Sequence, residues 1–129
     1  MTRSMASCRS CLGIPYVWDG RWPEDGGMDC SSFTWCVYQQ QGIVLGDDTY
    51  HQIRDGYHVA SLSQAKPGDL ILMYFNSHPN YNPLLPEHVA LYAGNGMIYE
   101  EPDFGMSCQY VPLSSKRDGK IEIRRIISD

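Results

Sequence analysis

The sequence predicts an α+β fold in which N-terminal helices pack on a central antiparallel sheet of about five strands. Three observations carry that expectation. Helix-like stretches come first and strand-like ones after, the order of an α+β chain rather than of a parallel doubly wound sheet. Two strand-like stretches meet at Gly94-Asn95-Gly96, which is hairpin chemistry. With 129 residues, 43% of them hydrophobic and 19% charged, the chain can bury one core and is too apolar for disorder. Residues 1–129 therefore read as one domain.

The elements follow in order. Residues 3–12 read as a short helix with Met5, Cys8 and Leu12 on one apolar face, stopped by Gly13 and Pro15. The aromatic stretch Tyr16-Val17-Trp18 leads into a long loop ending at Gly27, read either as core packing or as the wall of a cleft. Asp29 is an N-cap for a helix running to about Gln41, which buries Phe33 and Val37 and is stopped by Gly42. Residues 47–58 are polar and ambiguous, with a short helix around residues 50–53. Lys66-Pro67-Gly68-Asp69 is a type II turn signal that launches the strand Leu70–Phe75. A loop holding Pro79, Pro83 and Pro86 precedes the strand His88–Ala93, which turns into Met97–Glu100. Gln109–Leu113 and Lys120–Ile127 supply two more strands.

Composition excludes several classes of function. The formal net charge is −5 without a basic run, which argues against nucleic acid and against an anionic membrane surface. No apolar run is long enough to span a membrane. The first eight residues lack the apolar stretch of a secretory signal, so the chain is expected either not to leave by that route or to be a domain of something longer. Five cysteines cannot all pair within the chain, which favours thiol chemistry over a disulfide framework. Cys8-x-x-Cys11 reads as a redox pair, half a zinc site, core, or a surface thiol; no second pair with zinc spacing completes a site.

Cys30 falls in the first turn behind Asp29. Unpaired backbone N–H groups and the helix dipole there favour a thiolate, the form that attacks carbonyl carbon. A buried structural cysteine is the alternative. Such a nucleophile needs a base and a group to orient it. Of His51, His58, His78 and His88, only His88 opens a strand after a Pro-rich loop, where a side chain can sit rigidly at a cleft edge. A structural histidine at a strand end is the other reading. The hairpin brings Glu100 back near His88, while pleat alternation sends Glu101 to the other face. Without that pairing Glu100 would be a solvated edge charge.

Four motifs together carry a resemblance: Gly13-Ile14-Pro15-Tyr16-Val17-Trp18, Asp29-Cys30-Ser31-Ser32-Phe33, Pro67-Gly68-Asp69-Leu70 and His88-Val89-Ala90-Leu91-Tyr92-Ala93-Gly94-Asn95-Gly96. In this order they resemble the NlpC/P60 family of papain-like cysteine peptidases, which cleave peptidoglycan stem peptides, typically between D-glutamate and the diamino acid. The resemblance implies Cys30 as nucleophile, His88 as base and Glu100 as third residue, as in the subset with Glu there and Pro two residues on. It also implies that Tyr16 borders the site, and that Asp29, Ser31 and Trp18 lie where substrate is held. No metal or cofactor is implied, and the partner is bacterial peptidoglycan. Two departures stand out: the usual Trp-Gly-Gly reads Trp18-Asp19-Gly20, and Ser32 replaces a glycine. Asp19 bears on substrate preference more than on chemistry. Rival readings are an amidase or acyltransferase on the same fold, a catalytically inactive wall-binding module, and a zinc-stabilised module. The expected setting is the cell wall, as a domain of a larger protein, a phage-borne enzyme or a delivered effector.

Overall fold

Asp29 decides where the central helix begins. In the computed structural model, which describes residues 2–77, 82, 84–116 and 118–127, Asp29 is extended (φ −90°, ψ −174°) and its side chain accepts from the Ser32 N–H at 2.9 Å. That satisfies one of the orphan donors of the helix Cys30–Gln39, here α2. Phe33 and Val37, one turn apart, are fully buried on the same side. They pack with Leu70, Leu72, Val89 and Leu91 of the sheet, and a buried phenylalanine of this kind contributes about 2–3 kcal/mol. The helix Thr2–Cys11, α1, packs on α2, and a single turn Thr49–Gln52, α3, follows.

Six strands form one antiparallel sheet: β1 Tyr57–Val59, β2 Leu70–Met73, β3 His88–Gly94, β4 Met97–Glu100, β5 Gln109–Pro112 and β6 Ile121–Arg125, in the order β1-β6-β2-β3-β4-β5. β2 lies between β6 and β3 and is buried at every position, which explains why it reads Leu-Ile-Leu-Met without alternation. Leu70, Leu72, Val89, Leu91 and Tyr99 face the helices; Ile71, Met73, Ala90, Tyr92, Ile98 and Ile123 form a second apolar layer on the opposite face.

The β3–β4 hairpin turns on Asn95 (φ 55°) and Gly96 (φ 77°), the two positive angles of a type I′ turn. An irregularity between Tyr92 and Gly94 shifts the register, so that Leu91 pairs with Tyr99 and Tyr92 with Ile98. At Pro67-Gly68, Gly68 has φ 98° and Asp69 N–H donates to Lys66 carbonyl at 3.0 Å, as the type II signal required.

Two expectations change, and of the two readings of Trp18 one falls away. The sheet has six strands rather than five, because β1 is a three-residue edge strand, exposed at two positions, with no alternation to reveal it. The apolar face of α1 does not include Leu12, which is 44% exposed; Cys8 and Cys11 are both buried instead, so neither is a surface thiol. The side chain of Met5 lies outside those described. Trp18 is not core: it is 70% exposed.

Candidate active site

The loop of residues 13–18 is laid alongside the chain entering α2. Met28 N–H donates to Pro15 carbonyl at 3.1 Å, Val17 N–H to Met28 carbonyl at 3.2 Å, and Tyr16 bridges to Met28. Gly27 makes this approach possible, since a Cβ there would sit 2.3 Å from the Pro15 carbonyl oxygen. Tyr16 is thereby set beside Cys30. Burial, the Cys30 thiol and the Asp29 carboxylate all push its phenol well above the usual range.

Cys30 is half-buried at the first residue of α2, and its thiol hydrogen-bonds the His88 imidazole. His88 Nε2 meets Glu100 Oε1 at 2.7 Å, leaving Nδ1 for the thiol. Continuing the Leu91–Tyr99 pairing sets Glu100 against Ala90, on the side of β3 that His88 shares by alternation. Glu100 is fully buried, and its Oε2 accepts from Gln109 Nε2 at 2.7 Å with Lys116 Nζ at 3.4 Å. Burial disfavours charge on His88, but the hydrogen bonds and charges of Cys30 and Glu100 outweigh it and raise its pKa to about 9. Burial likewise opposes ionised Glu100, and the bonds from His88 and Gln109 with the Lys116 charge overcome it, holding the carboxyl below its usual value. The Phe75 ring stacks on His88 with centroids 5.9 Å apart.

Asp29 is buried and engaged on both oxygens: Oδ1 takes Ser32 N–H and Ser31 Oγ, and Oδ2 takes Asp19 N–H at 3.0 Å. It ties the cleft loop to the start of α2. Ser31 and Trp18 line the same cleft of about 690 Å³ as Cys30 and His88. Trp18 stacks on Phe104 (6.4 Å), which meets Tyr16 edge-on (5.1 Å). His51 and His58 are exposed elsewhere, paired with Asp48 (2.6 Å) and Glu122 (2.9 Å). His78 lies outside the described residues. All five cysteines are free, and among the described residues no group of three or more His, Cys, Asp or Glu side chains is placed to hold a metal ion.

Sequence reasoning missed Gln109, Lys116, Phe75 and Phe104. Gln109 had a signal, since it pairs directly across from Glu100 once β5 is registered on β4. The other three arrive from loops and turns that no local pattern connects to His88 or Tyr16.

The sequence model of the NlpC/P60 family matches residues 13–122, a span holding Tyr16, Cys30, His88 and Glu100. The chain belongs to the NlpC/P60 family. Over 104 residues it is 35% identical to a gamma-D-glutamyl-L-lysine dipeptidyl-peptidase of Bacillus cereus, covering 81% of this chain and 29% of that protein. It is 33% identical over 102 residues to a probable endopeptidase p60 of Listeria grayi, covering 79% and 18%. The chain thus spans less than a third of either relative's length. Among solved structures, an NlpC/P60 family protein from Bacillus cereus superposes with a TM-score of 0.83 at 28% identity, covering 98% of this chain and 40% of that one. The NlpC/p60 domain of the peptidoglycan hydrolase SagA superposes with 0.79 at 31% identity, covering 96% and 97%.

Proposed function

We propose that this member of the NlpC/P60 family is a cysteine peptidase acting on peptidoglycan stem peptides at the bond between D-glutamate and the diamino acid. Residues 1–129 serve as one catalytic unit. The observation that carries the reading is His88 hydrogen-bonded at once to the Cys30 thiol and to ionised Glu100. An imidazole so held is protonated at neutral pH and supports a thiolate across the bond to Cys30.

The thiolate attacks the scissile carbonyl carbon, and its electrons move onto the carbonyl oxygen. The Cys30 backbone N–H, at the start of α2 where amides have no intrahelical partner, donates to that oxygen, and Tyr16 supplies a second donor. Imidazolium His88 gives its proton to the leaving amine, which departs and leaves a thioester on Cys30. Neutral His88 then takes a proton from water as the water attacks the thioester, and the acid product leaves. Glu100 keeps Nε2–H engaged throughout, so that Nδ1 faces the thiol. Removing one oxyanion donor costs about 3 kcal/mol of transition-state stabilisation. The names of the relatives, a gamma-D-glutamyl-L-lysine dipeptidyl-peptidase and a probable endopeptidase, support the substrate class.

Digestion of purified peptidoglycan with the wild type and with Cys30→Ala, followed by fragment masses, tests this. New amino termini at the diamino acid are expected with the wild type only. Release of intact stem peptides from the sugar would instead make the chain an amidase, and transfer to an added amine an acyltransferase.

A further inference from the structure

Next to Glu100 in sequence, Glu101 is also fully buried, and neither of its carboxyl oxygens has a hydrogen-bond partner among the described residues. Alternation places it on the helix side of the sheet, the side of Tyr99, away from His88. The titratable groups facing it are Cys11 of α1, Tyr16 of the first loop, Asp29 at the cap of α2, Glu100 of β4 and Cys108 before β5. Every one is neutral or negative; no cation stands among them. Burial, then Asp29, then Glu100 raise the pKa of Glu101 to about 8. Two adjacent glutamates are thus held in opposite states, Glu100 ionised by three donors and Glu101 deprived of any.

We propose that Glu101 is a positioning residue carried as a neutral carboxylic acid, and that loss of its proton to solvent turns the site off. A buried carboxylate without donors must find some. On its own side of the sheet, Ser32 N–H, Ser31 Oγ–H and Asp19 N–H are donors already held by its neighbour Asp29. Drawing on them loosens the cap that holds Cys30 at the start of α2 and, with it, the partner of His88. Below the titration the acid is uncharged and Asp29 keeps its donors.

This inference rests on the assignment of Cys30, His88 and Glu100 above, and the experiment separates the two. Hydrolysis, the imidazole NMR signal of His88 and the infrared carbonyl band of protonated carboxyl groups are followed with pH in wild type and Glu101→Gln. In the wild type the infrared band is present at about pH 6 and lost near pH 8, while kcat falls about tenfold per pH unit above that point, with KM steady. In Glu101→Gln the band is missing and the alkaline limb moves up towards about 9, where His88 gives up its proton. The His88 signal shows an inflection near pH 8 in the wild type that the variant lacks, and it reads the site without substrate. Absence of the band at about pH 6, or superimposable alkaline limbs and His88 titrations in the two proteins, overturns the inference. Absence of hydrolysis in both proteins, with infrared and NMR titrations as expected, instead overturns the functional assignment. Glu101→Met replaces Glu101→Gln if the amide does not fold, and the wild-type infrared titration needs no variant.

Discussion

Glu100→Gln removes more than a charge. In the wild type Oε1 takes His88 Nε2 at 2.7 Å, while Oε2 takes Gln109 Nε2 at 2.7 Å with Lys116 Nζ at 3.4 Å. A carboxylate accepts on both sides; an amide accepts on one and donates on the other. With its oxygen towards His88, the new amide would press its NH2 against two donors, one of them charged. Turned round, it satisfies both of those and offers its NH2 to His88 Nε2. That nitrogen must then accept, so the ring proton moves to Nδ1, the nitrogen facing Cys30, and the base is in the wrong tautomer. A hydrogen bond to a charged group is worth about 1.5–3 kcal/mol, so the turned orientation is favoured by about 2 kcal/mol, roughly 30-fold in population. Replacing a charge-assisted bond by a neutral one removes about another 1 kcal/mol of support for imidazolium, roughly fivefold. Together they predict a loss in kcat of about 150-fold with KM nearly unchanged. Adding Gln109→Glu supplies an acceptor for the amide NH2, lets its oxygen return to His88, and should recover kcat on the order of tenfold. Steady-state hydrolysis of a purified stem peptide reads both effects. A loss below about fivefold, or no recovery in the double variant, refutes the reasoning.

Three further outcomes are expected. Cys30→Ala should abolish hydrolysis while leaving the far-UV circular dichroism unchanged, whereas Cys8, Cys11, Cys36 and Cys108 changed singly to Ala should retain activity with a lowered Tm, since all four are buried. An essential residue among those four would mean a role for it in the site. Gln52→Ala should destabilise by about 2–3 kcal/mol in urea unfolding, because Gln52 is fully buried, accepts from Thr34 Oγ1 at 2.7 Å and donates to the carbonyls of Ser31 (2.9 Å) and Gly46 (3.0 Å). A change below about 0.5 kcal/mol contradicts this. Stability should fall as pH rises from about 6.5 to about 9: His88, raised to about 9, stabilises the folded chain fully below its ordinary pKa and ceases to do so through its raised one. Glu101, raised from 4.5 to about 8, adds to the same alkaline loss, and Glu100, held low, contributes above its ordinary pKa and loses that contribution only in acid. A Tm constant between pH 6.5 and 9 contradicts the His88 assignment.

Much of the frame was legible locally because its causes are local. Asp29 caps α2 through a group three residues ahead, and Pro67-Gly68 and Asn95-Gly96 bend the backbone by their own φ preferences. These signals put Cys30 at a helix start and His88 and Glu100 on neighbouring strands. β1 was hidden because a three-residue edge strand has too few positions to show a period, and it exists only because β6 offers a partner. Leu12 was misplaced because α1 ends at Cys11 and Leu12 falls in the turn beyond it, exposed, while Cys8 of the expected face is buried together with Cys11.

The sequence by itself determined the order of elements, the two turns, the place of Cys30 at the start of α2 and, through the hairpin, the glutamate that meets His88. Only the tertiary structure decided the charges. Whether Glu100 is ionised depends on His88, Gln109 and Lys116, and whether Glu101 is neutral depends on burial beside Asp29 and Glu100 with no hydrogen bond to its carboxyl oxygens from the described residues. Backbone conformation follows from groups a few bonds away, whereas protonation follows from desolvation and from charges that only packing brings near.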